Sequence, residues 1–331
     1  MVVTKWGEKV FARFCLAAAA LSAFFCTTRM SAAEDLTIGT ISTGTVKWEL
    51  DTITYYGLDK ANGFDLEVLE LAGNPATQIA LAGGEVDAIV SDWLWVAQQR
   101  GEGKHYVFIP FSTAVGALLV PTDSPIQSLA DLKGKKIGIA GGPVDKSWLI
   151  LRAYARQLNG QDLVADTEQV FGAPPMIYEA GLSGEVDGVI NFWHFLAKMK
   201  VNGMRELINV ADASTALGLD PATPLLGYVV SEDLVTSNPT LVAALKKASR
   251  DAKSLLLTDQ AAWDRLRPIM NVENDAEFTA LRDGWRAGVP ADAPVDEANA
   301  AKVFALMAEL GGEELLGTVT TLPEGVFYKG E

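Results

Sequence analysis

Apolar positions along the chain switch repeatedly between two periods, and that alternation sets the fold class. Residues 36–40 form a short apolar run that predicts a strand, residues 46–60 place apolar side chains at helical spacing, and residues 64–71 alternate as a strand does. A helix is predicted over 75–82. Pro75 suits its first turn, where a missing N–H costs nothing, Asn74 is the expected cap, and Gly83-Gly84 ends it. A strand over 87–91, a helix over 93–100 and a strand over 106–110 follow. Residues 111–121 are apolar and extended and read as a crossing between two lobes, with residues 225–230 as the return strand. The tail changes character: 238–259, 261–269, 275–287 and 296–311 read as successive amphipathic helices that would pack around the first lobe or brace a hinge.

The same order of elements occurs twice. Gly84-Glu85-Val86-Asp87-Ala88-Ile89-Val90-Ser91-Asp92-Trp93 recurs a hundred residues later as Gly184-Glu185-Val186-Asp187-Gly188-Val189-Ile190-Asn191-Phe192-Trp193. Upstream, Trp48 aligns with Trp148, residues 72–75 align with 172–175, and 36–39 align with 135–138 after a slip of one residue. An ordered series of this kind implies two copies of one βαβαβ unit. In the second copy the elements fall at 136–140, 146–159, 168–171, 175–182, 187–191 and 192–201. Strands alternating with helices imply mainly parallel sheets flanked by helices, hence an α/β protein of two lobes with a helical C-terminal region.

Residues 1–33 stand apart. Lys5, Lys9 and Arg13 precede an apolar run over 14–25, and Ser31-Ala32-Ala33 offers small residues at a cleavage point, so a removable export signal is expected. The run is shorter than the ~20 residues a membrane span needs, so stable membrane insertion is not expected. Cys26 could carry a lipid, but Phe24 and Phe25 stand where small residues are wanted. Both cysteines, Cys15 and Cys26, lie within this segment, so the expected mature chain has neither a disulfide nor a thiolate metal site. Its removal takes four basic residues and Glu8, leaving 23 basic against 41 acidic side chains and a net charge of −18. Such a charge argues against nucleic acid or an anionic membrane as partner and keeps an exported protein soluble. The remaining 298 residues are assigned as lobe one, 34–111 and 226–331, and lobe two, 112–225.

In open parallel sheets a ligand collects at the carboxyl ends of the strands, where helix N-termini present free N–H groups. That rule selects Thr40, Ser42, Thr43, Trp48, Asn74, Asp92, Trp93, Ser112 and Thr113 on one lobe, and Gly141, Gly142, Asp145, Asn191, Trp193 and His194 on the other. Glycines and hydroxyls let backbone donors approach, a few charges orient, and tryptophans cover an apolar part, which is the chemistry of a small-molecule pocket. Gly141-Gly142 could present N–H groups to an anion, although glycine after a strand also simply turns the chain. Asp92 could hold a ligand amine or cap the helix starting at Trp93, and the two roles are compatible. Core packing is the default reading for each tryptophan and a structural role for His194, while Lys47 and Lys146 could favour an anion but by default face solvent.

The segments LTIGTIST, LAGGEVDAIVSDW, SLADLKGKKIGIAGG and SEDLVTSNPTLVAALKKA resemble the nitrate/sulfonate/taurine-type substrate-binding proteins of ABC transporters. That group includes thiamine-precursor-binding-like proteins and has the type II periplasmic binding fold. The resemblance covers roughly residues 35 to 255. It implies a periplasmic monomer that binds a small-molecule ligand between two lobes, closes at hinges near residues 112–113 and 223–227, and meets an ABC permease with its ATPase. The basic residues that group uses for strong anions are not evident, and GGPVDKSW is an unusual form of the second-lobe loop, so a zwitterion, an amine or another polar organic molecule stands beside sulfonate as the expected ligand. No cofactor is expected, and no compact metal motif is present. Two other readings remain: a biosynthetic enzyme on the same fold, for which the expected export signal and the missing nucleophilic triad argue poorly, and an exported accessory protein of a periplasmic oxidoreductase.

Overall fold

A computed structural model describes residues 34–330; the export signal expected at 1–33 lies outside the described residues. The first sheet is built from β1 (Glu34–Ile41), α1 (Val46–Tyr55), α2 (Leu58–Ala61), β2 (Phe64–Leu71), α3 (Asn74–Gly83), β3 (Ala88–Asp92), α4 (Trp93–Gly101) and β4 (Tyr106–Ser112). The second follows from β5 (Ala117–Pro121), β6 (Lys136–Ala140), α5 (Lys146–Asn159), α6 (Leu163–Asp166), β7 (Glu168–Gly172), α7 (Pro174–Leu182), β8 (Gly188–Ile190), α8 (Trp193–Val201), β9 (Met204–Asn209) and α9 (Val210–Ala216). The chain then returns through β10 (Leu226–Ser231) and ends in α10 (Glu232–Ser237), α11 (Pro239–Thr258), α12 (Gln260–Leu266), α13 (Asp275–Ala287) and α14 (Glu297–Leu316).

The strand orders are β2-β1-β3-β10-β4 and β7-β6-β8-β5-β9, one topology used twice. In each, the fourth strand in that order comes from a crossing and runs antiparallel to both neighbours, while β1 with β2 and β3, and β6 with β7 and β8, are parallel. The repeated Gly-Glu-Val-Asp has one physical job in both copies. Gly84 (φ 71°) and Gly184 (φ 76°) turn the chain in the left-handed region after a helix, where other residues are strained. Asp87 and Asp187 then each accept the backbone N–H of the neighbouring strand, from Thr37 and Lys136, both at 2.8 Å. Their own N–H groups donate to the carbonyls of the same two residues, which sets the register of the third strand on the first.

Some expected elements change. The helix expected over 46–60 is two, because Gly57 (φ 64°) interrupts it. Asn74 is the first residue of α3 and Gly73 precedes it, so Asn74 is not the cap. Only residues 113–116 of the expected 111–121 crossing lie between sheets, since β4 runs to Ser112 and β5 begins at Ala117. Strand β9 and helix α9 carry no sequence signal as clear as the repeat.

The core explains where the C-terminal helices go. One face of the first sheet packs on α1 and α11 through Leu36, Ile38, Ile53, Tyr228 and Leu245. A larger cluster joins α4 of the first half to α5 of the second through Phe304, Met307 and Leu316 of α14, so α14 lies against both lobes. Helix α13 packs on α8 of the second half, and Trp48, Trp263, Trp285 and Ala197 share one cluster. The helical tail therefore touches both halves rather than the first alone. No helix among the described residues is long and apolar enough to cross a membrane.

Candidate functional site

The carboxyl ends of β1 and β3 face those of β6 and β8, and two pairs of elements meet across the gap. Asp92, the last residue of β3, caps α4 by accepting the Trp95 N–H at 3.0 Å. Its other oxygen receives the Lys146 ammonium from the start of α5 at 2.9 Å, with both side chains mostly buried. Asp145 caps α5 through the Trp148 N–H at 3.0 Å. Burial raises the Asp145 pKa, and the nearby Asp92 adds to the rise against the pull of Lys146. Burial alone would lower Lys146, but the attraction and hydrogen bond of Asp92 outweigh it and raise its pKa. Lys146 was expected to face solvent or an anion; it reaches across to a carboxylate because the cleft end of α5 is closed off from water.

The second pair is the repeat's counterpart of the first. Trp193, at the start of α8, meets Trp48 of α1 edge-to-face, ring centroids 6.2 Å apart at 90°. Trp48 continues to Trp263 at 6.1 Å and Trp263 to Trp285 at 5.4 Å, an aromatic line running from the cleft into the tail helices. The helix after the third strand of each copy thus touches the first helix of the other copy, once through an ion pair and once through tryptophans. Phe192 replaces Asp92 in the second copy, and α8 forms with no side-chain cap at all.

The expected residues fall mainly into two groups, one where the lobes meet or on the lips and one at the crossing. Asp92, Asp145 and Trp193 stand where lobe meets lobe, and Trp48 is 3% exposed with an edge on Trp193. Thr40 is 2% exposed, and its Oγ1 has no hydrogen-bond partner. Thr43 and Asn74 are exposed on the lips, and Ser42 is pinned by donating its N–H to Leu71 while its carbonyl accepts Lys47 Nζ. The second group lies at or near the crossing between the sheets. The Ser112 and Thr113 hydroxyls both donate to the Gly288 carbonyl, at 3.2 and 3.3 Å, and the Thr113 N–H does so at 2.9 Å. Asn191 donates to the Pro174 carbonyl and accepts the Phe192 N–H. Gly141 spends its N–H on the Gly172 carbonyl, so of the expected glycine pair only Gly142 keeps that donor for other use. His194 is half-buried among Phe192, Trp193 and Phe195, and burial, with Lys198 nearby, pushes its pKa down to about 4.

Trp93 is the correction. It is fully buried and packs on Phe327 at 5.6 Å, because its position after the third strand turns it toward the α14 side of the sheet, away from the cleft. Residues the sequence reading missed include Gly116, where a Cβ would come within 2.8 Å of the Asn191 carbonyl oxygen and 3.0 Å of Ser147 Oγ. Only glycine lets the crossing lie that close to the second lobe. Asn299 of α14 accepts the Asp220 N–H at 3.0 Å and donates to Thr223 Oγ1 at 2.5 Å, fastening the return crossing. Two cavities flank these features. One of about 750 Å³ lies at the hinge end, with residues 113–117, Trp193, Asn209, Gly284 and Gly288 in its wall. The other, about 230 Å³, lies away from the cleft between α11 and residues 289–295. Among the described residues no three acidic, histidine or cysteine side chains gather as a metal site would require.

Residues 54–262 match the family model described as NMT1/THI5 like. A stretch of 137 residues is 31% identical to a curated Haemophilus influenzae protein named for thiamine biosynthesis, and spans 40% of this chain and 42% of that protein. The alkanesulfonate-binding protein SsuA of Xanthomonas axonopodis pv. citri, solved with MOPS bound, superposes with a TM-score of 0.69 at 19% identity, over 90% of this chain and 99% of that one. The periplasmic aliphatic sulphonate binding protein SsuA of Escherichia coli gives 0.69 at 20% identity, over 87% and 95%. At such identities the likeness shows the fold.

Proposed function

We infer the function from two findings: the chain belongs to the NMT1/THI5-like family, and its two lobes meet across a cleft at the start of paired helices. It is an exported solute-binding protein that captures a small polar organic molecule between the lobes and presents the closed form to an ABC permease with its ATPase. Lobe one comprises 34–111 and 226–331, lobe two 112–225, and the crossings at 113–116 and 223–225 act as the hinge. Residues 1–33 deliver it to the periplasm and are removed. The ligand site is formed by Thr40, Asp92, Trp48, Gly142, Asp145 and Trp193, with Ser42, Thr43 and Asn74 on the lips. Ser112, Thr113, Gly141, Asn191 and His194 hold those residues in place.

The observation that carries this reading is the paired contact, Asp92 to Lys146 and Trp48 to Trp193. Contacts made only when two lobes approach mark where the lobes close, and a ligand held between them stabilises that closed form. The similar structures are binding proteins by their names, which supports the same role here. The test is a thermal-shift screen of residues 34–331 against sulfonates, amines, amino acids, pyrimidines, small alcohols and metal ions. A ligand at a hundred times its Kd should raise Tm by roughly 5–10 °C, and Trp193→Ala should abolish the rise. A panel that leaves Tm unchanged throughout contradicts solute capture.

A further inference from the structure

We propose that the cleft selects a small organic cation, an alkylammonium or quaternary ammonium head, and that the Lys146 ammonium occupies the place this head takes when bound. The proposal rests on the cleft being the binding site, and it fixes the sign of the ligand's charge. Two carboxylates, Asp92 and Asp145, are gathered there around one ammonium. Both helix N-termini are already served, since Asp92 accepts from Trp95 and Asp145 from Trp148. At these two helix starts an anion would therefore meet a carboxylate beside the remaining N–H groups. An incoming anion would face two carboxylates in a poorly solvated space, whereas a cation would restore balance.

The repeat shows that the helix after the third strand can start without a carboxylate. At the equivalent position Phe192 starts α8 without any side-chain cap, so the carboxylate is an addition in one copy. Helix α5 carries Lys146 where α1 carries Val46, so one copy supplies the acid and the other its counter-ion. A second observation points the same way. Thr40 Oγ1 is buried with no hydrogen-bond partner. Thr40 lies on β1, which pairs with β3 at Ile38 to Ala88, so strand alternation puts Thr40 on the same sheet face as Asp92. An unpaired buried hydroxyl carries a desolvation penalty that an ammonium N–H beside Asp92 would relieve. The other contact between the lobes, Trp48 against Trp193, is aromatic and suits the apolar groups of such a cation.

The experiment is calorimetric titration of residues 34–331 with ethylammonium, ethanolammonium and choline, and separately with ethanesulfonate and nitrate, in wild type, Asp92→Asn and Lys146→Met. Asparagine keeps the oxygen that caps α4, so circular dichroism should show Asp92→Asn folded. The expected result is binding of a cation, weakened at least ten-fold by Asp92→Asn and tightened several-fold by Lys146→Met, which removes the internal competitor. A merely structural lysine would not tighten binding when removed. Binding of ethanesulfonate or nitrate that is lost in Lys146→Met overturns the cation proposal while leaving solute capture intact. Silence toward both sets, with the broader thermal screen also silent, overturns both. Silence here with a neutral solute active in the screen overturns the cation proposal alone.

Discussion

At Asp92 and His194, burial and a neighbouring charge decide what each side chain does. The repeat exposes Asp92 because Phe192 stands at the same place in the other copy, whereas its partner Lys146 emerges only in the fold. Trp93 and Trp193 are also equivalent, yet one is fully buried in the core and the other is partly buried with its ring against Trp48. Sequence cannot separate them, because which side of each helix is covered depends on where α13 and α14 pack. His194 gives a prediction at this scale. Its pKa is about 4 in the fold against about 6.5 unfolded, so the folded state holds it neutral while the unfolded chain takes up a proton. Its contribution is fully present above about pH 6.5, is lost as pH falls toward 4, and is flat below. Roughly 2–3 kcal/mol should disappear across that window. Urea midpoints at pH 7 and 4.5 measure it, and His194→Gln should show a smaller difference than wild type. An equal difference in both proteins would remove His194 as the cause.

Elements whose burial is fixed by their own periodicity were legible: α5 and α13 match their expected bounds of 146–159 and 275–287, and β2 and β6 do so as well. Breaks set by a single backbone conformation, such as Gly57 between α1 and α2, were not, because nothing in the apolar pattern marks a left-handed residue. Nor was the buried polar centre that fixes α1, which carries Trp48 to the cleft. Glu49 is fully buried and accepts from Tyr228 Oη at 2.9 Å, Ser249 Oγ at 2.6 Å and Lys253 Nζ at 2.6 Å, tying α1 to β10 and α11. Burial lowers the Lys253 pKa, opposed by Glu49, and burial with Glu49 raises Tyr228. Lys253→Met leaves a buried carboxylate without its cation and should cost about 3–5 kcal/mol, read from urea denaturation. Glu49→Gln with Lys253→Met should recover much of that loss. A double variant as unstable as the single one would mean the packing, not the charge, is at stake. Within β10, a Cβ at Gly227 would come 2.4 Å from the Ile109 carbonyl oxygen and 2.3 Å from the Phe108 ring. Gly227→Ala should therefore lower stability by about 1–3 kcal/mol through overpacking, and a melting temperature equal to wild type would contradict that reading.

At the scale of the whole molecule, the hundred-residue repeat made the two sheets legible, since Asp87 and Asp187 perform the same clamp and the strand orders coincide. The bracing was less so. Contacts such as Thr113 to Gly288 and Asn299 to Thr223 join segments far apart in sequence that share no pattern. Under the proposed function the molecule is a hinged clamp whose lobes meet through tryptophans on one side and, without a ligand, through an ion pair on the other. Residues 34–331 contain no cysteine, so spin labels can be placed cleanly at the exposed Ile79 of α3 and Met176 of α7, one on each lobe. The distance distribution between Ile79→Cys and Met176→Cys labels, recorded without and with the solute that raises Tm, tests capture by closure most directly. Capture by closure predicts a distribution that shortens and narrows on saturation, with a midpoint equal to the Kd. A bound solute that leaves the distribution unchanged would contradict it.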